Sequence, residues 1–156
     1  MNIQNKDSNT GLRTLTRTQS LVFVSGAMMM VLGVCGVVFG TFAGQALMRI
    51  ATILFAIGAV AFTTIQMTQT YSGTSIVIRR LRRIMVIGDI CFIIAALLMI
   101  ESNFQIIFPF VAKTIDGYNA WVHFVYNNWV VALLIAAILE MYTTHRIAYE
   151  LKKQQQ

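Results

Sequence analysis

Two carboxylates stand inside long apolar stretches of this 156-residue chain, where an acid is costly enough to call for a use. Asp89 follows Met85-Val86-Ile87-Gly88, and Glu140 follows Ala136-Ala137-Ile138-Leu139. Each lies six residues from an arginine, Asp89 from Arg83 and Glu140 from Arg146. At 1.5 Å per helical residue both acids sit about 9 Å inward of a basic edge, and Gln66 and Ser25 reach a similar depth. A polar layer of this kind has two uses. Bonded to Ser, Thr and Gln neighbours or to inward-bending arginines, the acids fix helix register, and this is the commoner case. Brought together with no basic partner, they would hold one proton near neutral pH, because desolvation and like charge both oppose the second ionisation. Such a pair could carry protons or bind a small cation.

Other chemistry finds little support. The two histidines, His123 and His145, are expected on opposite sides of a membrane, so no clustered metal site follows. No dinucleotide fingerprint, phosphate loop, nucleophile elbow or paired C-x-x-C occurs. No catalytic residue, cofactor or metal is expected, and the chain does not read as an enzyme.

The elements that must position the acids follow from composition. With 57% hydrophobic and 12% charged residues, water is not the main solvent. Four apolar runs are long enough to cross about 30 Å of hydrocarbon: Leu21 to Ala43, Leu47 to Thr70, Ile84 to Glu101 and Trp129 to Arg146. Lipid offers the backbone no hydrogen-bond partner, so the runs must be helices, and four of them predict an all-α integral membrane four-helix bundle. Residues 1–20 and 149–156 read as polar tails. The first run is too long for the apolar part of an export signal, and the bulky Val34 before Cys35 argues against lipoprotein cleavage, so it is expected to be retained. Cys35 and Cys91 differ in depth by about 10 Å, which argues against a disulfide.

The net charge of +6 is unevenly spread. Lys6, Arg13 and Arg17 precede the first run, Arg79, Arg80, Arg82 and Arg83 lie between the second and third, and Arg146, Lys152 and Lys153 follow the fourth. Arg49 and Lys113 fall on the other side. This bias places both termini and a basic loop, residues 71–83, in the cytoplasm. Within that loop Tyr71-Ser72-Gly73-Thr74 reads as a turn, and Ser75 to Arg83 as an amphipathic lead-in with Ile76, Ile78 and Leu81 on lipid and the arginines among headgroups. The block lies beside the bilayer with no soluble domain to present it, so anionic lipid headgroups rather than nucleic acid are its expected partner.

On the other side, the turn around Gly44 to Ala46 is so short that the first two spans must be antiparallel neighbours. The long connection 102–128 is rich in Phe, Trp and Tyr. Pro109 and Asp116-Gly117 are expected to divide it into two pieces lying along the interface as a cap, with Trp121, Tyr126 and Trp129 in an aromatic belt. In the first span Gly26, Gly33, Gly36, Gly40 and Gly44 fall within an arc of about 80°, a groove for close approach of another helix. Span two or another subunit could fill it, with span two favoured. Span two carries a matching stripe, Thr52, Ala56, Ala59, Thr63, Gln66 and Thr70. Glu140 shares its face with Ala132, Ala136, Ala137, Thr143 and Thr144, a surface expected to meet protein.

The tracts Ile78-Arg79-Arg80-Leu81-Arg82-Arg83-Ile84-Met85 and Asn127-Asn128-Trp129 to Thr143-Thr144-His145-Arg146 resemble those of an uncharacterised family of small four-span bacterial inner-membrane proteins. The resemblance implies a bacterial inner membrane and no particular activity. Small multidrug transporters also have four spans, but they carry an essential glutamate in the first helix, where this chain has no acid. A structural, assembly or accessory subunit is the expected role, with a membrane-protein partner or a second copy as its associate. A small proton-coupled transporter or channel using the acidic layer is the alternative.

Overall fold

The computed structural model describes residues 16–69 and 75–154. Lys6, Arg13, Thr70, the Tyr71 to Thr74 turn and most of the N-terminal tail lie outside the described residues. Six helices follow in order: α1 (Arg17–Ala43), α2 (Gln45–Thr68), α3 (Ile76–Phe104), α4 (Phe108–Val111), α5 (Ile115–Phe124) and α6 (Trp129–Gln154). No strand occurs among the described residues. The helices α1, α2, α3 and the stretch ending in α6 are long and apolar enough to cross a membrane, the architecture of a multi-pass membrane protein.

Two helices begin earlier than the apolar pattern indicates, because local capping sets their start. At α1 the Thr16 hydroxyl accepts from the Gln19 amide and the Gln19 side chain accepts from the Thr16 amide, a reciprocal box that draws Arg17 to Ser20 into the helix. At α3 the Ser75 side chain accepts from the Ile78 amide. No Gly or Pro interrupts the chain from Ile76 to Ile87, and arginine and leucine are good helix formers. The basic segment is therefore not a loop: residues 76–83 are the first two turns of a 29-residue helix about 43 Å long. Its lead-in also faces differently from the expectation. Ile78 and Leu81 are buried in protein rather than set on lipid, while Ile76 is exposed. At the other terminus residues 149–154 continue α6 instead of forming a tail.

Helix α1 packs on α2, α2 on α3 and α3 on α6. The seam between α1 and α2 is the closest, and the glycines make it so. Gly26 faces Gly58 and Phe62, Gly33 faces Phe55, Gly36 faces Ala51 and Gly40 faces Met48, so the groove is filled from within the chain by span two. A Cβ on Gly33 would stand 2.7 Å from the Phe55 amide nitrogen and 2.8 Å from its Cα, closer than backbone can yield without moving the helix. Gly44 serves a different need. It alone turns the chain between α1 and α2, at φ 118°, a region open to glycine and rarely to other residues. No atom lies within 4 Å of its missing side chain, so it belongs to the turn rather than the groove.

The fourth seam, between α1 and α6, stays open. An apolar cleft of about 360 Å³ lies there, walled by Ala27, Val31, Val34 and Cys35 on one side and Leu133 and Ala137 on the other, and floored by Phe55, Phe62 and Phe92. Gly33→Ala is expected to push α1 off α2 and to cost about 1–3 kcal/mol, as overpacked cores do. Reversible unfolding in mixed detergent measures this; an unchanged stability would mean that the seam is not the tight contact described.

Candidate functional site

The inner polar layer forms toward the basic end of the bundle, where Gln66 stands in the last turn of α2, Asp89 near the middle of α3 and Glu140 near the middle of α6. Gln66 in α2 is buried and donates from Nε2 to Glu140 Oε1 in α6 at 2.7 Å. Glu140 lies against the backbone of α3, where a Cβ on Gly88 would meet its Oε1 at 3.2 Å. Gly88 thus makes room for the carboxylate beside its neighbour Asp89. Asp89 is fully buried, and neither of its oxygens has a hydrogen-bond partner. Gln66 Oε1 is likewise buried and unpartnered.

Arg82 bends inward from the basic segment without pairing with either acid. Its Nη2 donates to the Gln66 carbonyl at 3.3 Å, and its Nη1 lies 3.9 Å from Met85 Sδ. Its charge acts on both carboxyl groups, yet among the described residues the single ion pair is Arg146 with Glu150 at 3.6 Å. Arg79, Arg80 and Arg83 are exposed. The structure therefore brings Asp89, Glu140 and Gln66 together with Arg82. Ser25 does not join them: it is exposed and donates to the Val22 carbonyl of its own helix at 3.0 Å. Depth along the helix places it correctly and rotation about the helix does not, since its neighbour Gly26 occupies the face toward α2.

The opposite end holds a second buried acid. Glu101 in α3 accepts from the Ile107 amide at 3.0 Å, the Phe108 amide at 3.0 Å and Trp121 Nε1 at 3.2 Å. One carboxylate thus caps α4 and fastens α5, because the free amides at a helix start and an indole N–H all need an acceptor away from water. The connection is indeed organised as two short pieces, though not divided as expected. Pro109 opens α4 instead of separating the halves, Asp116 and Gly117 lie inside α5, and the break falls between Val111 and Ile115. Trp121 and Trp129 are buried in protein rather than set in an aromatic belt, while Tyr126 is exposed. Asn103 Nδ2 donates to Thr52 Oγ1 at 2.7 Å, tying α3 to α2 at this end. At the sequence level Glu101 is only the end of span three. The signal that marks it is the Phe108-Pro109 helix start a few residues on, where exposed amides would seek an anion.

Between the two polar ends lies an apolar core of Phe55, Ala59, Phe92, Ala95, Ala96, Met99 and Ala136. Asp89 and Glu101 are twelve residues apart on α3, about 18 Å along its axis. The small face of α6 serves this core in part: Ala136 and Thr143 are buried, whereas Ala137 and Thr144 are exposed. Cys35 and Cys91 are both free. No protein-family model, curated protein or solved structure matches the chain.

Glu101→Ala is expected to free α4 and α5 from the bundle and to cost about 2–3 kcal/mol, since it orphans the buried Trp121 indole N–H and two part-buried amides at the start of α4. Hydrogen exchange at Ile107 and Phe108, together with a red shift of Trp121 emission, reads the effect. Exchange as slow as in the unaltered protein would show that the cap holds without its acid.

Proposed function

We propose that the chain is a non-enzymatic inner-membrane protein of a bacterium, with both termini and the basic end in the cytoplasm, acting as a structural, assembly or accessory subunit. The orientation is supported by Arg79, Arg80 and Arg83 at the start of α3 and by Arg146, Lys152 and Lys153 near the end of α6, all at one end of the bundle. The observation that carries the role is the apolar core across the middle of the bundle. It separates the two polar layers, so among the described residues polar groups form no continuous line from one face to the other. A protein built this way offers its neighbours surface rather than a route. The open cleft between α1 and α6 supplies that surface at mid-membrane depth.

Affinity purification in gentle detergent tests this reading. A stable membrane-protein partner is expected to co-purify, and Ala27→Trp, which fills the cleft, to release it. A homo-oligomer free of other proteins would move the balance to transport.

Transport is the second reading, favoured by one observation, the unpartnered oxygens of the buried Asp89. As a small proton-coupled transporter or channel, the chain would alternate the acidic layer between two sides. Proteoliposomes loaded with a pH-sensitive dye measure the flux directly. Under this reading Asp89→Asn and Glu140→Gln each lower it at least tenfold; full flux in both variants would exclude it.

A further inference from the structure

We propose that the inner layer is a binding site for one proton, carried by Asp89 and shared with Glu140 and Gln66. The argument is an inventory of donors and acceptors in a place where water is scarce. Five side-chain oxygens belong to this layer: two on Asp89, two on Glu140 and Oε1 of Gln66. An ionised carboxylate only accepts, and the nearby donors bond elsewhere: Gln66 Nε2 donates to Glu140 at 2.7 Å and Arg82 to the Gln66 carbonyl, so neither meets an Asp89 oxygen. Both Asp89 oxygens and Gln66 Oε1 are consequently buried without a partner. Leaving a buried acceptor unmet is expensive, and three in one layer are more so.

The charged and titratable groups that face Asp89 are few. Helix α6 contributes Glu140 and helix α3 contributes Arg82, while the neutral Gln66 of helix α2 bonds to Glu140. Helix α1 contributes none, since Ser25 points away and bonds its own backbone. Two ionised acids against one arginine would leave a net negative charge in a low-dielectric layer. The contacts of Arg82 moreover run to the Gln66 carbonyl and the Met85 sulfur, not to a carboxylate. One proton cancels the surplus charge and reduces the surplus of acceptors: it takes one Asp89 oxygen out of the unmet set and makes it a donor for another oxygen of the layer.

The placement gives the proton a use. Asp89 lies about 9 Å inward of Arg83, within reach of the basic end, and is backed by the apolar core on its other side. A proton can therefore exchange with one face only in this conformation, as suits a sensing or loading position. The site deepens the transport reading but rests on the polar layer alone. Its failure leaves the accessory role standing, and a missing partner leaves the site standing.

Infrared spectroscopy of the full-length protein in nanodiscs tests the inference. At neutral pH a protonated-carboxyl stretching band is expected, shifted in deuterated buffer and absent in Asp89→Asn. The same band should move when the protein carries carboxyl-labelled aspartate, which keeps the assignment independent of whether the variant folds. No such band at neutral pH, a band unmoved by labelled aspartate, or one that persists in a folded Asp89→Asn protein would each overturn the proposal.

Discussion

In hydrocarbon a polar group has only the protein to bond to, and nearly every polar choice in this chain answers to that condition. Thr52, Thr63, Thr64 and Thr143 donate to carbonyls of their own helices, so their hydroxyls cost little wherever they face. Longer side chains cannot close on their own backbone, and they set the tertiary ties instead. Gln66 reaches α6, Asn103 reaches α2, and Glu101 reaches the amides of α4 and the indole of α5. Each tie contributes only about 1 kcal/mol in a membrane, because the separated helices also find partners. Their value is therefore registration more than stability: they fix where α2, α3 and α6 stand along one another.

Close backbone approach does for α1 what hydrogen bonds do for the other helices. Hydrophobic burial cannot drive helices together in lipid, since acyl chains are as apolar as leucine. Packing must do so, and packing improves as backbones draw near. The glycines opposite Phe55, Ala51 and Met48 permit that approach, and Gly44 returns the chain in a single residue so that the two helices meet from their first turn. Helix α1 is thus fastened along its length to α2 and contributes no polar group to the inner layer.

Much of this was legible in the sequence, because length, hydropathy and glycine spacing are properties of single helices. The four spans and the shared depth of Asp89, Glu140 and Gln66 follow from distance along an axis, and the α1 to α2 seam from the shared face of the glycines and the short turn at Gly44. What escaped depends on rotation or on a distant partner. Ser25 has the right depth and the wrong azimuth. Ile78 and Leu81 look like a lipid-facing pair until α3 is known to run unbroken through the arginines, which the Ser75 cap and the lack of a breaker could have indicated. Glu101 acquires its role from amides six and seven residues ahead and from Trp121, twenty residues away, which no local pattern joins to it. The core placement of Trp129 was hidden because an aromatic at a span boundary suits a belt and a core equally well.

The unequal seams determine where this bundle can give way. Separating α2 from α3 or α3 from α6 would disturb the Asn103 tie, the Arg82 contact with Gln66 and the arrangement that seats Glu140 against Gly88. Loss of either of the first two would leave a polar group without a partner in lipid. Among the described residues no hydrogen bond joins α1 to α6, because the two sides of the cleft are apolar, and the contacts across it are dispersion alone. Acyl chains or an incoming helix can replace such contacts nearly in kind. The side of least resistance therefore lies between the first and last helices, away from the acids. An associate entering there would leave the polar layer intact, which lets one small chain keep a lateral surface and a buried acidic site without either compromising the other.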